Sequence, residues 1–214
     1  SPELFASVGA AWHGSAGLAF GNVVGSNIAN LLFILAMTAV IAPIAVSDSV
    51  AERDAPILLG MTVLFVLMSF VFPLGRFTAL VYLLIMGAYV YVSHQDGKAN
   101  PSGEVVEKIS YSKEKLFINL GIAVLGVALL VYGADLLIGA ASTLARSMGV
   151  SETVIGLTIV AVGTSLPELV SSLGAAYKGR HELALGNIIG SNIYNLFGIL
   201  GVASLVAPTA VPMD

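Results

Sequence analysis

Two short segments carry the residues with the clearest chemical potential. Pro2-Glu3 and Pro167-Glu168 each set a carboxylate directly after a proline inside an apolar stretch, and Thr164 and Ser165 precede Glu168 by one turn. At positions i−4, i−3 and i of a helix, the two hydroxyls and the carboxylate converge on one side. Further on, Asn187, Ser191 and Asn195 step by four, as do Asn22, Ser26 and Asn30, so each trio falls on one helix face. Pro167 lacks an N–H and is expected to release the carbonyl of Gly163, adding another oxygen to that face. An all-oxygen set with two carboxylates suits hard cations: two negative charges balance one Ca²⁺, two Na⁺ or two protons.

The elements that must position these groups are membrane helices. Runs of about 20 apolar residues, the length that crosses a bilayer core, occur at 18–42, 55–72, 77–92, 116–145, 153–177 and 183–207, and residues 1–13 read as the tail of a further helix. The runs are long and continuous rather than short and alternating, which excludes barrel strands. Compact polar turns at 47–54, 73–76, 147–152 and 178–182 separate them, and one longer polar segment, 94–115, reads as a solvated linker. The Lys and Arg residues of the loops, Arg53, Lys98, Lys108, Lys113, Lys115, Lys178 and Arg180 against Arg76 and Arg146, place the first set on the cytoplasmic side. Trp12, Tyr82, Tyr89, Tyr91 and Tyr111 fall near predicted span ends and are expected to anchor in the headgroup zone. His13, His94 and His181 are expected at the interface, solvated.

Composition agrees. Of 214 residues 57% are hydrophobic and only 10% charged, with a mean hydropathy of +0.94, so too few charges exist to cover a soluble domain. A net charge of −4 with nine Lys plus Arg cannot form a nucleic-acid surface. The absence of Cys removes disulfides, thiolate nucleophiles and Cys-based zinc sites. Ser1-Pro2-Glu3 begins no signal-peptide pattern. The partners expected are the lipid bilayer and inorganic cations, and no resident cofactor is expected.

The chain contains an internal duplication. Residues 1–43 laid on 166–208 without a gap agree at about half their positions, including Pro-Glu-Leu, Gly-Ala-Ala, Gly-Asn, Gly-Ser-Asn-Ile and Asn-Leu in register. Apolar segments alike by chance would share Leu and Val, but not Asn, Ser, Pro and Glu. An odd number of spans separates the copies, so equivalent helices run in opposite directions across the membrane. The expected fold is therefore all-α: a polytopic transmembrane helix bundle with two inverted-topology repeats, divided as 1–93, a linker at 94–115, and 116–214. Inverted repeats are a common architecture of secondary transporters, with sites at the midplane between them.

Packing accounts for part of this pattern. The pairs Gly21/Gly25 and Gly186/Gly190 have the spacing that brings helices close, and Asn or Ser can simply hydrogen-bond between helices. Asp135 in the run 116–145 has no repeat partner and fits a structural hydrogen bond better than an ion relay. Glu3 and Glu168 resist that explanation: an ionised carboxylate at mid-membrane costs roughly 3 kcal/mol or more, and no Lys or Arg lies within the apolar runs. A mobile cation is the natural counter-charge. A cation channel or an intramembrane hydrolase with Glu168 as base and Asn195 as oxyanion donor would use the same residues. A channel, however, more often builds its filter from rotational copies, and a hydrolase has no need of a duplicated Glu. No enzyme activity is expected.

Gly163-Thr164-Ser165-Leu166-Pro167-Glu168, followed by Gly186-Asn187-Ile188-Ile189-Gly190-Ser191-Asn192-Ile193-Tyr194-Asn195, resembles an alpha repeat of the calcium/cation antiporter superfamily, most closely its prokaryotic sodium/calcium exchanger branch. The first copy runs from Ser1 through Asn30. The resemblance implies a ten-helix exchanger in the plasma (inner) membrane of a prokaryote, moving Ca²⁺ against Na⁺, or alternatively H⁺, by alternating access. This chain would then be a fragment whose partners include the missing first and last helices of its parent. It also implies that Glu3 and Glu168 are the central Ca²⁺ carboxylates with Asn30 and Asn195 beside them. Thr164, Ser165, Ser26 and Ser191 would form flanking Na⁺ sites, joined by the Ala161 carbonyl. Some members carry Asp where Asn195 stands, so this site holds less negative charge. The long helix at 116–145 would slide against the repeat core.

Overall fold

The computed structural model describes residues 1–99 and 113–208, and within 113–142 it leaves several side chains undescribed. Eight helical segments follow in order: α1 (Pro2–Trp12), α2 (Ala16–Ile41), α3 (Val50–Val71), α4 (Arg76–Ala99), α5 (Lys113–Ser147), α6 (Glu152–Thr164), α7 (Leu166–Tyr177) and α8 (His181–Val206). Four of them, α2, α3, α8 and α4 over Arg76–Asp96, are long and apolar enough to cross a membrane, and α6 with α7 makes a fifth span bent by 42°. The run expected at 153–177 is therefore two helices. Pro167 in the first turn of α7 supplies the reason, since its missing N–H and its ring cannot continue a helix from α6. The linker expected at 94–115 is shorter at both ends, because α4 continues through Ala99 and α5 begins at Lys113; the rest of it, with Tyr111, lies outside the described residues.

The duplication is structural as well. Gly14 and Gly179, at corresponding positions, close α1 and α7 with φ of +79° and +72°, a left-handed cap that only glycine takes without cost. α2 and α8 each contain a π-helical stretch at the same place in the repeat, Ala29–Ile34 and Tyr194–Ile199, where Leu35 N–H bonds to the Asn30 carbonyl and Leu200 N–H to the Asn195 carbonyl. Such wide turns are rare and cluster at functional sites. Both repeats then end in an extended residue, Ala42 and Ala207.

α2 lies against α6 with backbones in contact. A Cβ at Gly21 would stand 2.6 Å from the Thr153 carbonyl oxygen, and one at Gly156 2.6 Å from that of Leu18. The predicted close approach at Gly21/Gly25 is met there, whereas Gly186 and Gly190 face no described atom within 4 Å. α4 packs on α8, and between them sits an aromatic cluster. Tyr82 and Phe197 meet edge to face at 5.3 Å, and both lie against Phe65, which stacks on Phe20. Tyr82, expected as an interfacial anchor, is fully buried in this cluster, because α4 turns that face toward α8 rather than toward lipid. Trp12 and Tyr91 are exposed. Phe197→Ala is expected to destabilise the protein by about 3 kcal/mol or more, read as a lower melting temperature in detergent; an unchanged melting temperature would show that the cluster adds nothing.

At one end Arg53 pairs with Asp54 at 2.7 Å and reaches Asp96 at 3.9 Å, tying the start of α3 to the end of α4. Elsewhere, Arg146 joins α5 to α6 through two hydrogen bonds to Glu152, at 2.6 and 3.1 Å.

Candidate cation site

Glu3 and Glu168 sit in the first turns of α1 and α7. Glu168 follows the break in the α6–α7 span, roughly midway along it. Asn22 joins the Glu3 carbonyl to Thr164, one turn before Glu168, so the inverted repeats bring their acidic residues close together. Glu3 is 1% exposed and accepts a hydrogen bond from Ser1 Oγ at 2.7 Å. The Glu168 Oε2 atom is buried with no hydrogen-bond partner. No Lys or Arg pairs with either carboxylate among the described residues, and no group of three or more His, Cys, Asp or Glu forms there. A cation held here would take its remaining ligands from hydroxyls, amides and carbonyls.

The helices that carry such groups pack on the two glutamate helices. The π-helical stretch holding Asn195 packs on α1, and the one holding Asn30 packs on α7, so each repeat sets its asparagine against the other repeat's glutamate helix. Asn30, Asn195, Ser26, Thr164 and Ser165 are all buried, and Ser191 is half-buried. Ser26 Oγ donates to the Ala161 carbonyl at 3.5 Å and Thr164 Oγ1 to the same oxygen at 3.3 Å, while the Ser165 N–H reaches it at 3.1 Å. Two donors thus gather on Ala161, joined by Thr164 when its single hydroxyl hydrogen is not on Asn22 Oδ1 at 3.0 Å. The Gly163 carbonyl, expected to stand free, instead accepts a backbone N–H at the turn between α6 and α7, because the chain tightens there before Pro167. Ser165 Oγ and Asn30 Oδ1 join Glu168 Oε2 as buried oxygens without partners. Buried polar atoms are rarely left so, and unpartnered oxygens on these residues fit a positive ligand.

The four-residue spacing overstated how alike its members are. Asn22 and Asn187 turn to α1 and α7 respectively: each donates its amide to the glutamate's own backbone carbonyl, at 3.3 and 3.4 Å, and to a serine hydroxyl, Ser7 or Ser172, at 2.8 Å. Asn30, one turn beyond Ser26, meets a residue outside the expected set, since its Nδ2 donates to Asn192 Oδ1 at 3.2 Å. Ser7, Ser172 and Asn192 were the partners that sequence spacing missed; the recurrence of Ser7 and Ser172 at matching repeat positions was the available signal. The side chain of Asp135 lies outside those described.

Comparison with known proteins agrees with this architecture. The family described as sodium/calcium exchanger protein matches residues 1–94 and 118–214. CaxA of Alkalimonas amylolytica is 38% identical over 216 residues, covering 99% of this chain and 67% of that protein. The sodium/calcium exchanger MaX1 of Methanosarcina acetivorans is 34% identical over 250 residues, covering 98% of this chain and 71% of that protein. A solved structure of the sodium-calcium exchanger NCX_Mj superposes with a TM-score of 0.73 at 32% identity, over 99% of this chain and 68% of that one. The chain spans about two thirds of the length of the relatives it matches. With the family matched over nearly all of its residues, and its inverted helical repeats superposing on a solved exchanger at that identity, this integral membrane chain belongs to the sodium/calcium exchanger family, a family of transporters rather than enzymes.

Proposed function

We propose that the protein from which this chain comes is a secondary active transporter that exchanges Ca²⁺ for Na⁺ by alternating access, with Glu3 and Glu168 as a shared cation site. The observation that carries this reading is the approach of the two glutamates, one from each inverted repeat, with no Lys or Arg paired with either among the described residues. Two neighbouring negative charges repel one another and lose hydration, fully at Glu3 and in part at Glu168, and a cation removes both costs. One Ca²⁺ takes carboxylate, hydroxyl, amide and carbonyl oxygens in flexible geometry, which the set Glu3, Glu168, Asn30, Asn195, Thr164, Ser165, Ser26, Ser191 and the Ala161 carbonyl supplies. Na⁺ competes for the same oxygens. Because an empty pair of carboxylates resists closure away from water, only a loaded site passes occluded between the two sides, and exchange is thereby enforced. The halves 1–93 and 116–214 would supply one face of the site each, and α5, which packs on α6 and α7, would slide against them as access changes.

The test is Ca²⁺ uptake by the full-length protein in proteoliposomes under an outward Na⁺ gradient, an outward H⁺ gradient, or neither. Uptake that requires Na⁺ is expected. Uptake driven by H⁺ alone would replace Na⁺ with proton coupling, and equal uptake with no gradient would overturn exchange in favour of a channel.

A further inference from the structure

We propose that Asn22 and its repeat counterpart Asn187 are the positioning residues of the cation site, acting through the glutamate backbone and, for Asn22, through the hydroxyl of Thr164. The inference rests on the exchanger reading and adds to it two residues that touch no cation themselves.

Asn22 is 1% exposed, and its carboxamide makes three hydrogen bonds. Its two amide hydrogens go to the Glu3 carbonyl, at 3.3 Å, and to Ser7 Oγ, at 2.8 Å. Its Oδ1 accepts the hydroxyl of Thr164 at 3.0 Å. The first two bonds fix the first turn of α1, and so the origin of the Glu3 side chain, on α2. The third crosses from the first repeat to the second. A hydroxyl has one hydrogen and two lone pairs. With its hydrogen held by Asn22 Oδ1, or at 3.3 Å by the Ala161 carbonyl, Thr164 keeps its lone pairs for another partner and stands as a pre-oriented acceptor. No other residue type of this size gives two donors and an acceptor together: Asp would set a carboxylate against the Glu3 carbonyl, and Leu would orphan three partners. Asn187 repeats the arrangement on Glu168, donating to its carbonyl at 3.4 Å and to Ser172 Oγ at 2.8 Å. An interaction kept at matching distances in both inverted copies, each time on the acidic residue's own backbone, belongs to the site and not to general packing.

The test is a double-mutant cycle in the full-length protein, read as the Ca²⁺ concentration for half-maximal uptake into proteoliposomes. Asn22→Ala is expected to raise that concentration about tenfold, the scale of one buried hydrogen bond left unmade. Thr164→Val should raise it by a similar factor. Because part of the Asn22 effect passes through Thr164 and the rest through the Glu3 backbone, the double variant should fall short of the product of the two single changes, whereas independent packing defects would multiply. A parallel readout is the rise in melting temperature that Ca²⁺ produces in detergent, which Asn22→Ala should reduce. If Asn22→Ala does not accumulate, Asn187→Ala, in the half-buried copy, carries the same expected loss of Ca²⁺ affinity. An unaltered half-saturation in Asn22→Ala or Asn187→Ala, or a multiplicative double variant, overturns the positioning role, provided Glu168→Gln is inactive. Wild-type uptake by Glu168→Gln would instead overturn the exchanger site itself.

Discussion

Glu168→Gln is expected to abolish Ca²⁺ exchange, lowering uptake by the full-length protein in proteoliposomes on the order of a hundredfold or more. Gln keeps the shape of Glu, so the loss measures charge. The remaining carboxylate, Glu3, could neutralise only half of a divalent ion, and the other side chains proposed for the site, Asn30, Asn195, Ser165 and Thr164 among them, carry neutral oxygens. In a medium where stray charge is expensive, the site would then favour monovalent ions or none. The effect should fall on transport rather than folding, because the Glu168 Oε2 atom has no hydrogen-bond partner to lose. Glu3→Gln should be equally inactive, since the repeats place the two residues equivalently, though with some added loss of stability because Glu3 accepts the Ser1 hydroxyl. Uptake by Glu168→Gln above about a tenth of the wild-type rate at matched protein amounts would exclude a site in which both carboxylates carry the ion.

The sequence displayed the repeat, the inverted topology and both glutamates because each depends on a local signal: an apolar run long enough to span, a proline beside a carboxylate, an asparagine in register with its copy. What it hid depends on three-dimensional context. The break between α6 and α7 was audible in Pro167, yet hydropathy alone reads 153–177 as one run, because a bent span is as apolar as a straight one. The π-helical stretches at Asn30 and Asn195 leave no composition mark; α-helical bonds run as far as Ala29, whose N–H reaches the Gly25 carbonyl, so Asn22, Ser26 and Asn30 keep their shared buried face and the wide turn closes beyond it, at Leu35. Tyr82 illustrates the same limit, for an aromatic ring near a helix end suits a headgroup and a bundle core equally well, and only the packing of α4 on α8 decides. Asn22 was ambiguous in the sequence for a related reason: its meaning lies in Ser7, on the preceding helix, and in Thr164, far along the chain.

The contact between α2 and α6 should be the least forgiving part of the structure to added bulk. A Cβ at Gly25 would collide with the Leu157 carbonyl oxygen and stand 2.7 Å from Ala161 Cβ, and the neighbouring Gly21 is as tightly enclosed. The obstacles are the Leu157 backbone and the Ala161 Cβ, which cannot rotate away as the tip of a long side chain can. Gly25→Val must therefore push the two helices apart, at a cost of about 3 kcal/mol, the upper part of the range for overpacking. Separation would also lengthen the bonds that cross this contact, from Ser26 to the Ala161 carbonyl and from Thr164 to Asn22, which involve residues of the proposed cation site. The expected result is a lower melting temperature in detergent together with lost Ca²⁺ uptake. Gly60→Ala is the matched control: Gly60 is exposed on α3 with no described atom within 4 Å of a Cβ, and alanine favours the helix, so stability and uptake should hold. If Gly25→Val melts and transports like wild type, the backbones of α2 and α6 are not in contact in the working protein, and the two repeats must be joined at the site by some other surface.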